Sequence, residues 1–257
     1  MKTNRFKTLF QTGAAAGLLL GAATSHAHFP WVMATDYTPS PDKAATVYLG
    51  WGHSFPLAGF MAEDRVGTLE LVSPDGSRSG LEKKDAGYAT PELKTAGAYV
   101  LLAAQKGGFY TRTKSGNKRQ SKEGLSDIIK CSFSSNTMKA VFNVGAGAGD
   151  VSKRFEHPLE IIPLDNPGNL GVNDHFKVQV LLHGKPYDGM IYATYAGFSN
   201  EENTFAYAVG TDDDGTASIR ILSTGTWLIK ANAEQPYPDT KVCDVESYTS
   251  TFTFGIQ

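Results

Sequence analysis

Hydrophobic side chains recur at every second position along most of this chain, the period of a half-buried β-strand. Residues 45–51 place Val47, Leu49 and Trp51 on one face. Residues 66–72 follow the same rule and stop at Ser73-Pro74-Asp75-Gly76, a turn signal. Residues 98–104, 109–113, 139–144 and 158–162 continue the rhythm. One short segment, 121–130, reads instead as a helix, with Ser121 and Glu123 near its start. Strands and helices do not alternate along the chain, so the pattern excludes a parallel α/β sheet.

Residues 163–171 interrupt the alternation with Pro163, Pro167, Gly168, Gly171, Asp165, Asn166 and Asn169, a composition that suits a linker. Beyond it Phe176, Val178, Val180 and Leu182 alternate with Lys177 and Gln179. Residues 190–195, 204–209, 217–222, 226–231 and 248–254 add further strands. About seven strands in about 85 residues suit a small sandwich. The expected fold is therefore all-β, two antiparallel β-sandwich domains in tandem over 28–165 and 166–257. In the second half, "TDDDG" followed by Gly225, Thr226 and Trp227 is similar to transthyretin-like and carboxypeptidase-regulatory-like sandwiches, whose usual role is scaffolding.

The first 27 residues do not belong to this pattern. Lys2, Arg5 and Lys7 precede an apolar stretch over 13–23, and Ser25-His26-Ala27 supplies a small-x-small cleavage site. That is the form of a cleaved secretory signal, and the stretch falls short of the about 20 residues of a membrane span. Cleavage after Ala27 leaves 230 of 257 residues, exported to the periplasm and without a transmembrane segment. It also removes three cations and no acid, taking the formal charge from −2 to −5. That balance argues against nucleic acid and against an anionic membrane surface as partners. In an exported chain Cys131 and Cys243 are expected to form a disulfide. Buried free thiols or a soft-metal site are the competing readings, and the spacing has no CxxC character.

The cut makes His28 the first residue of the mature chain. A terminal histidine joins an α-amine and an imidazole in one chelate, a pairing that an internal histidine lacks. The amine titrates near ~8 and the imidazole near ~6.5, so a metal displaces their protons at little cost near neutrality. His53 follows Gly52 in the loop Gly52-His53-Ser54-Phe55-Pro56, and the two histidines together offer three nitrogen donors. Such a set suits Ni²⁺ or Cu²⁺. His157, beside Pro158 at the start of a strand, is a further candidate ligand; Glu63 and Asp64 are candidate carboxylates. His175 and His183 share parity with Lys177 and Gln179 and are expected in solvent. Asp212-Asp213-Asp214-Gly215 lacks the spacing of a Ca²⁺ loop and reads as a turn. Lys114, Lys118, Arg119 and Lys122, among Ser, Gly, Asn and Gln, read as a mobile loop.

Taken in order, "HAHFPWV", "VYLGWGHSFPLAGF", "HPLEIIPLDNPGNLG", "LLHGKPYDG", "TDDDGTASIRI" and "TGTWLIKA" resemble the DUF4198 family, periplasmic components of nickel/cobalt uptake systems. The resemblance covers nearly the whole mature length. It implies a non-enzymatic accessory protein that captures Ni²⁺ or Co²⁺ and hands the ion to an ECF- or ABC-type membrane importer. His28 and Gly52-His53 fall on the family's positions. Three other readings stand beside it: a periplasmic copper-binding protein, a copper monooxygenase with a histidine brace, and a structural or carbohydrate-binding sandwich.

Overall fold

The computed structural model describes residues 28–145 and 149–257; the expected signal peptide and its cleavage site lie outside them. The first half supplies β1 (Phe29–Ala34), β2 (Thr46–Gly52), β3 (Val66–Val72), β4 (Arg78–Gly80), β5 (Glu82–Lys84) and β6 (Gly87–Ala89). It continues with β7 (Gly97–Gln105), β8 (Gly108–Thr113), β9 (Gly116–Lys118) and the long β10 (Ile128–Val144). The second half supplies β11 (Leu159–Pro163), β12 (His175–Leu182), β13 (Lys185–Pro186) and β14 (Met190–Tyr195). β15 (Tyr207–Gly210), β16 (Thr216–Arg220), β17 (Gly225–Pro236) and β18 (Val245–Ile256) complete it. The fold is all-β, as the alternation requires. Among the described residues no helix is long and apolar enough to cross a membrane.

The strands form three layers. A ten-stranded sheet runs β15-β14-β17-β18-β10-β7-β3-β4, with β8 attached to β10 and β9 to β8. A sheet of order β1-β2-β6-β5 covers one of its faces, where Val32, Val47 and Leu49 meet Leu71, Leu101, Met138 and Phe142. A sheet built on β11, β12, β13 and β16 covers the other, where Phe176, Val178 and Ile219 meet Val100, Val141, Trp227, Phe252 and Phe254. Strands β7 and β10 therefore bury both of their faces, which explains why Gly97–Ala103 reads as one continuous apolar run.

The division near residue 166 takes a different form from the expected tandem sandwiches. β10 and β18, from opposite halves of the chain, pair in parallel from Ser132↔Val245 to Ala140↔Thr253. One hydrophobic core draws on both halves. Residues 163–171 are not an interdomain linker: they join β11 to β12, neighbours paired Leu159↔Leu182, through a 3-10 turn at Pro167–Asn169. The Asp-Gly turn holds, with Asp214 Oδ1 accepting from the Thr216 N–H at 3.0 Å and its hydroxyl at 2.7 Å. It passes the chain from the large sheet into β16 rather than closing a hairpin within one sheet.

The expected helix over 121–130 is also absent. Gly124 and Asp127 adopt φ of 70° and 54°, which a right-handed helix cannot hold, and Ile128 already begins β10. The Lys122 N–H donates to the Val242 carbonyl at 2.9 Å and its ammonium pairs with Asp244. Cys131 and Cys243 form the disulfide beside that pair, across 112 residues of sequence. The basic stretch before it is a hairpin of β8 and β9, Thr111 pairing with Lys118, in place of the expected mobile loop.

Candidate metal-binding site

β1 and β2 pair antiparallel from Ala34↔Val47 to Phe29↔Gly52. One further step in that register sets His28 opposite His53, and directly opposed residues are the closest side-chain neighbours in an antiparallel ladder. Their ring centroids lie 4.2 Å apart, tilted by 46°. Trp51, two residues from His53, is the diagonal neighbour of His28 and stacks on it at 5.7 Å with an interplanar angle of 8°. The same alternation that turns Val47 and Leu49 into the core thus delivers Trp51 and His53 to the open end of the sheet.

Local packing fixes this corner. A side chain at Gly50 would lie 2.0 Å from Cε2 of Trp31, so only glycine lets the indole cross β2. Gly52 has φ of 155°, and a Cβ there would come within 2.2 Å of the Ala58 Cβ. The chain after His53 doubles back, with the Trp51 N–H donating to the Gly59 carbonyl at 2.9 Å. Phe55 is buried edge-on against Trp31 at 5.9 Å. From the second half, the Asn203 N–H donates to the His53 carbonyl at 2.9 Å, which brings Glu202 to the site.

The electrostatics favour an unprotonated His28 imidazole. Burial, then His53 and Arg65, hold the His28 imidazole below the usual histidine value, with Glu202 opposing. The Arg65 guanidinium sits 4.8 Å from the Trp51 ring centroid. Nδ1 of His53 is buried and has no hydrogen-bond partner. Leaving such an atom unsatisfied costs about 1–3 kcal/mol, a debt that a bound ion would cancel. Among the described residues no three His, Cys, Asp or Glu side chains converge as a metal-ligand set.

The other candidates lie elsewhere. His157 lines a separate cavity with Glu160 and His183, and burial followed by the Lys139 charge holds its imidazole below the usual value. It is not brought to the pair. Glu63 and Asp64 occupy a 3-10 turn from which only Arg65 reaches the site. His175 is exposed; His183 is exposed but also bonds the Tyr248 hydroxyl at 3.1 Å. Trp51, Arg65 and Glu202 were missed as site residues. Trp51 alone had a signal, its parity with His53.

A family model described as "Domain of unknown function (DUF4198)" matches residues 25–235. The chain belongs to the DUF4198 family. The matched region of this DUF4198 protein includes β1, β2 and the segment carrying Glu202. No curated protein matches the chain. Among solved structures, a Salmonella alpha-2-macroglobulin aligns at 10% identity and TM-score 0.27, covering 88% of this chain. This chain spans 15% of that one's length. Murine CEACAM1b aligns at 10% identity and TM-score 0.22, covering 90% of this chain and 98% of the other.

Behind the site of this DUF4198 protein, Lys230 is enclosed by three aromatic rings. Its ammonium lies 4.4 Å from the Phe29 ring centroid, 4.7 Å from Phe205 and 5.5 Å from Tyr192. Burial pushes its pKa down from 10.5 to about 8. Between those two values the unfolded chain keeps a proton that the folded chain has released, so stability rises with pH through that window. The rise is expected in urea unfolding midpoints from pH 8 to 10.5 and should flatten in Lys230→Met. An equal rise in both proteins would assign it to other groups.

Proposed function

We propose that this protein is exported, cleaved after Ala27, and used to capture a divalent transition metal ion for delivery to a membrane importer, without catalytic turnover. The supporting observation is the cross-strand His28–His53 pair at 4.2 Å with a buried, unpartnered imidazole nitrogen. Cleavage adds the His28 amine, and three nitrogens then face one ion. Metal binding needs unprotonated donors, which a depressed His28 supplies at neutral pH. Open solvent beside His28 leaves room for the ion to arrive and leave, as cargo must.

Nickel or cobalt is the cargo that the family resemblance implies. Copper is the rival, because an all-nitrogen set with no thiolate follows the rising affinity from Co²⁺ through Ni²⁺ to Cu²⁺. The test begins with intact mass of the mature protein to fix its first residue. Titrations with Ni²⁺, Co²⁺ and Cu²⁺ then compare it with His53→Ala and with a form carrying one alanine ahead of His28. Loss of a ligand or its positioning should weaken binding at least about 10–100-fold in both variants. Equal binding by the alanine-extended form rejects the terminal-amine chelate. Peroxide-dependent turnover with copper would move the reading to a histidine-brace enzyme.

A further inference from the structure

The cavity that holds His157 is a second built site. It is an open cleft of about 450 Å³ between the segment 154–158 and strands β11 and β12, a volume in the range of small-molecule sites. Its walls include Arg154, Glu156, His157, Glu160, Leu181 and His183. Glu160, only 3% exposed, accepts from the Lys139 ammonium at 2.6 Å and from the Phe155 N–H at 2.9 Å. These bonds fix one wall and neutralise its charge. His183 is held by the Tyr248 hydroxyl.

What remains is one uncompensated charge of each sign. Arg154 spends a single nitrogen on the neutral amide of Gln179, at 3.1 Å, and makes no ion pair among the described residues. Glu156, at φ of 59°, likewise makes none. The half-buried His157 imidazole makes no hydrogen bond among the described residues. The other charges acting on His157 are themselves matched, Lys139 by Glu160 and Arg78 by Glu70 at 3.0 Å. Leu181 and Pro158 add an apolar wall.

We infer that this cavity binds a small zwitterion of the amino-acid type, its carboxylate against Arg154 and His157, its ammonium against Glu156 and its side chain against Leu181 and Pro158. Paired charges of opposite sign on one wall select a molecule carrying both, since a ligand with one charge leaves the other unmatched. The inference goes beyond metal capture and does not rest on it.

Leucine and its two single-charge analogues, 4-methylpentanoate and 3-methylbutylamine, are the probes, followed by NMR of the His157 ring in the full mature protein. Leucine should shift those signals saturably, with each analogue at least about tenfold weaker. Arg154→Gln should erase the advantage of leucine over the amine, and Glu156→Gln its advantage over the carboxylate. Both positions are exposed, so the variants keep the fold. His28→Ala should leave leucine binding unchanged, separating this site from the metal reading. Absence of a saturable leucine shift up to about 10 mM, or an analogue that matches leucine, overturns the inference.

Discussion

Replacing Glu160 with leucine should cost about 3–5 kcal/mol of unfolding free energy, enough to unfold a marginal protein at moderate urea. Lys139 and Glu160 are each 3% exposed, and the ammonium bonds both the Glu160 carboxylate at 2.6 Å and the Ile161 carbonyl at 3.1 Å. Removing one partner strands the other charge in a low-dielectric interior. Glu160→Leu leaves a buried ammonium, which base neutralises; Lys139→Met leaves a buried carboxylate, which acid neutralises. The two penalties should therefore shrink in opposite pH directions. The double variant should lie within about 1–2 kcal/mol of the parent, the residue being the orphaned Phe155 N–H. Additive losses in that cycle would show that the two charges are not coupled and that each stabilises the fold independently.

Loss of the disulfide in Cys131→Ala/Cys243→Ala should be comparably severe. The bond closes 112 residues, and the entropy of such a loop corresponds to about 4–5 kcal/mol in the unfolded state. It sits where β10 and β18 begin their parallel pairing, next to the Lys122–Asp244 pair. A parallel ladder between strands this far apart in sequence has a large closure cost, which the covalent link removes beforehand. Urea unfolding of the two proteins measures the difference. A loss below about 1 kcal/mol would mean that the native bond is opposed by strain or that the unfolded chain is already compact.

Much of the fold is legible in the alternation because a strand's period is a local property. Val47, Leu49 and Trp51 fall on one face whether or not their partners are known, and His53 follows on the same parity. The pair with His28 needed one more fact, the β1–β2 register. β1 itself reads poorly, since Phe29, Pro30, Trp31 and Val32 are all buried and show no alternation. The row Thr249, Thr251 and Thr253 reads as a wet face, yet Thr251 and Thr253 are fully buried, their hydroxyls donating to the Pro30 and Val32 carbonyls of β1. The segment 121–130 misled because its helical spacing is short and the tertiary bonds of Lys122 and Cys131 outweigh it.

The sequence by itself determined the β class and the Asp-Gly turn, and it marked Cys131 with Cys243, and His28 with His53, as candidate partners. Each depends on residue type and short spacing. Tertiary structure decided that the halves share one sheet through β10 and β18, that Arg65 and Glu202 frame the histidine pair, and that His157 belongs to another cavity. The physical reason is that strand partners far apart in sequence are chosen by the burial and hydrogen bonding of the whole assembly, and no local period records that choice.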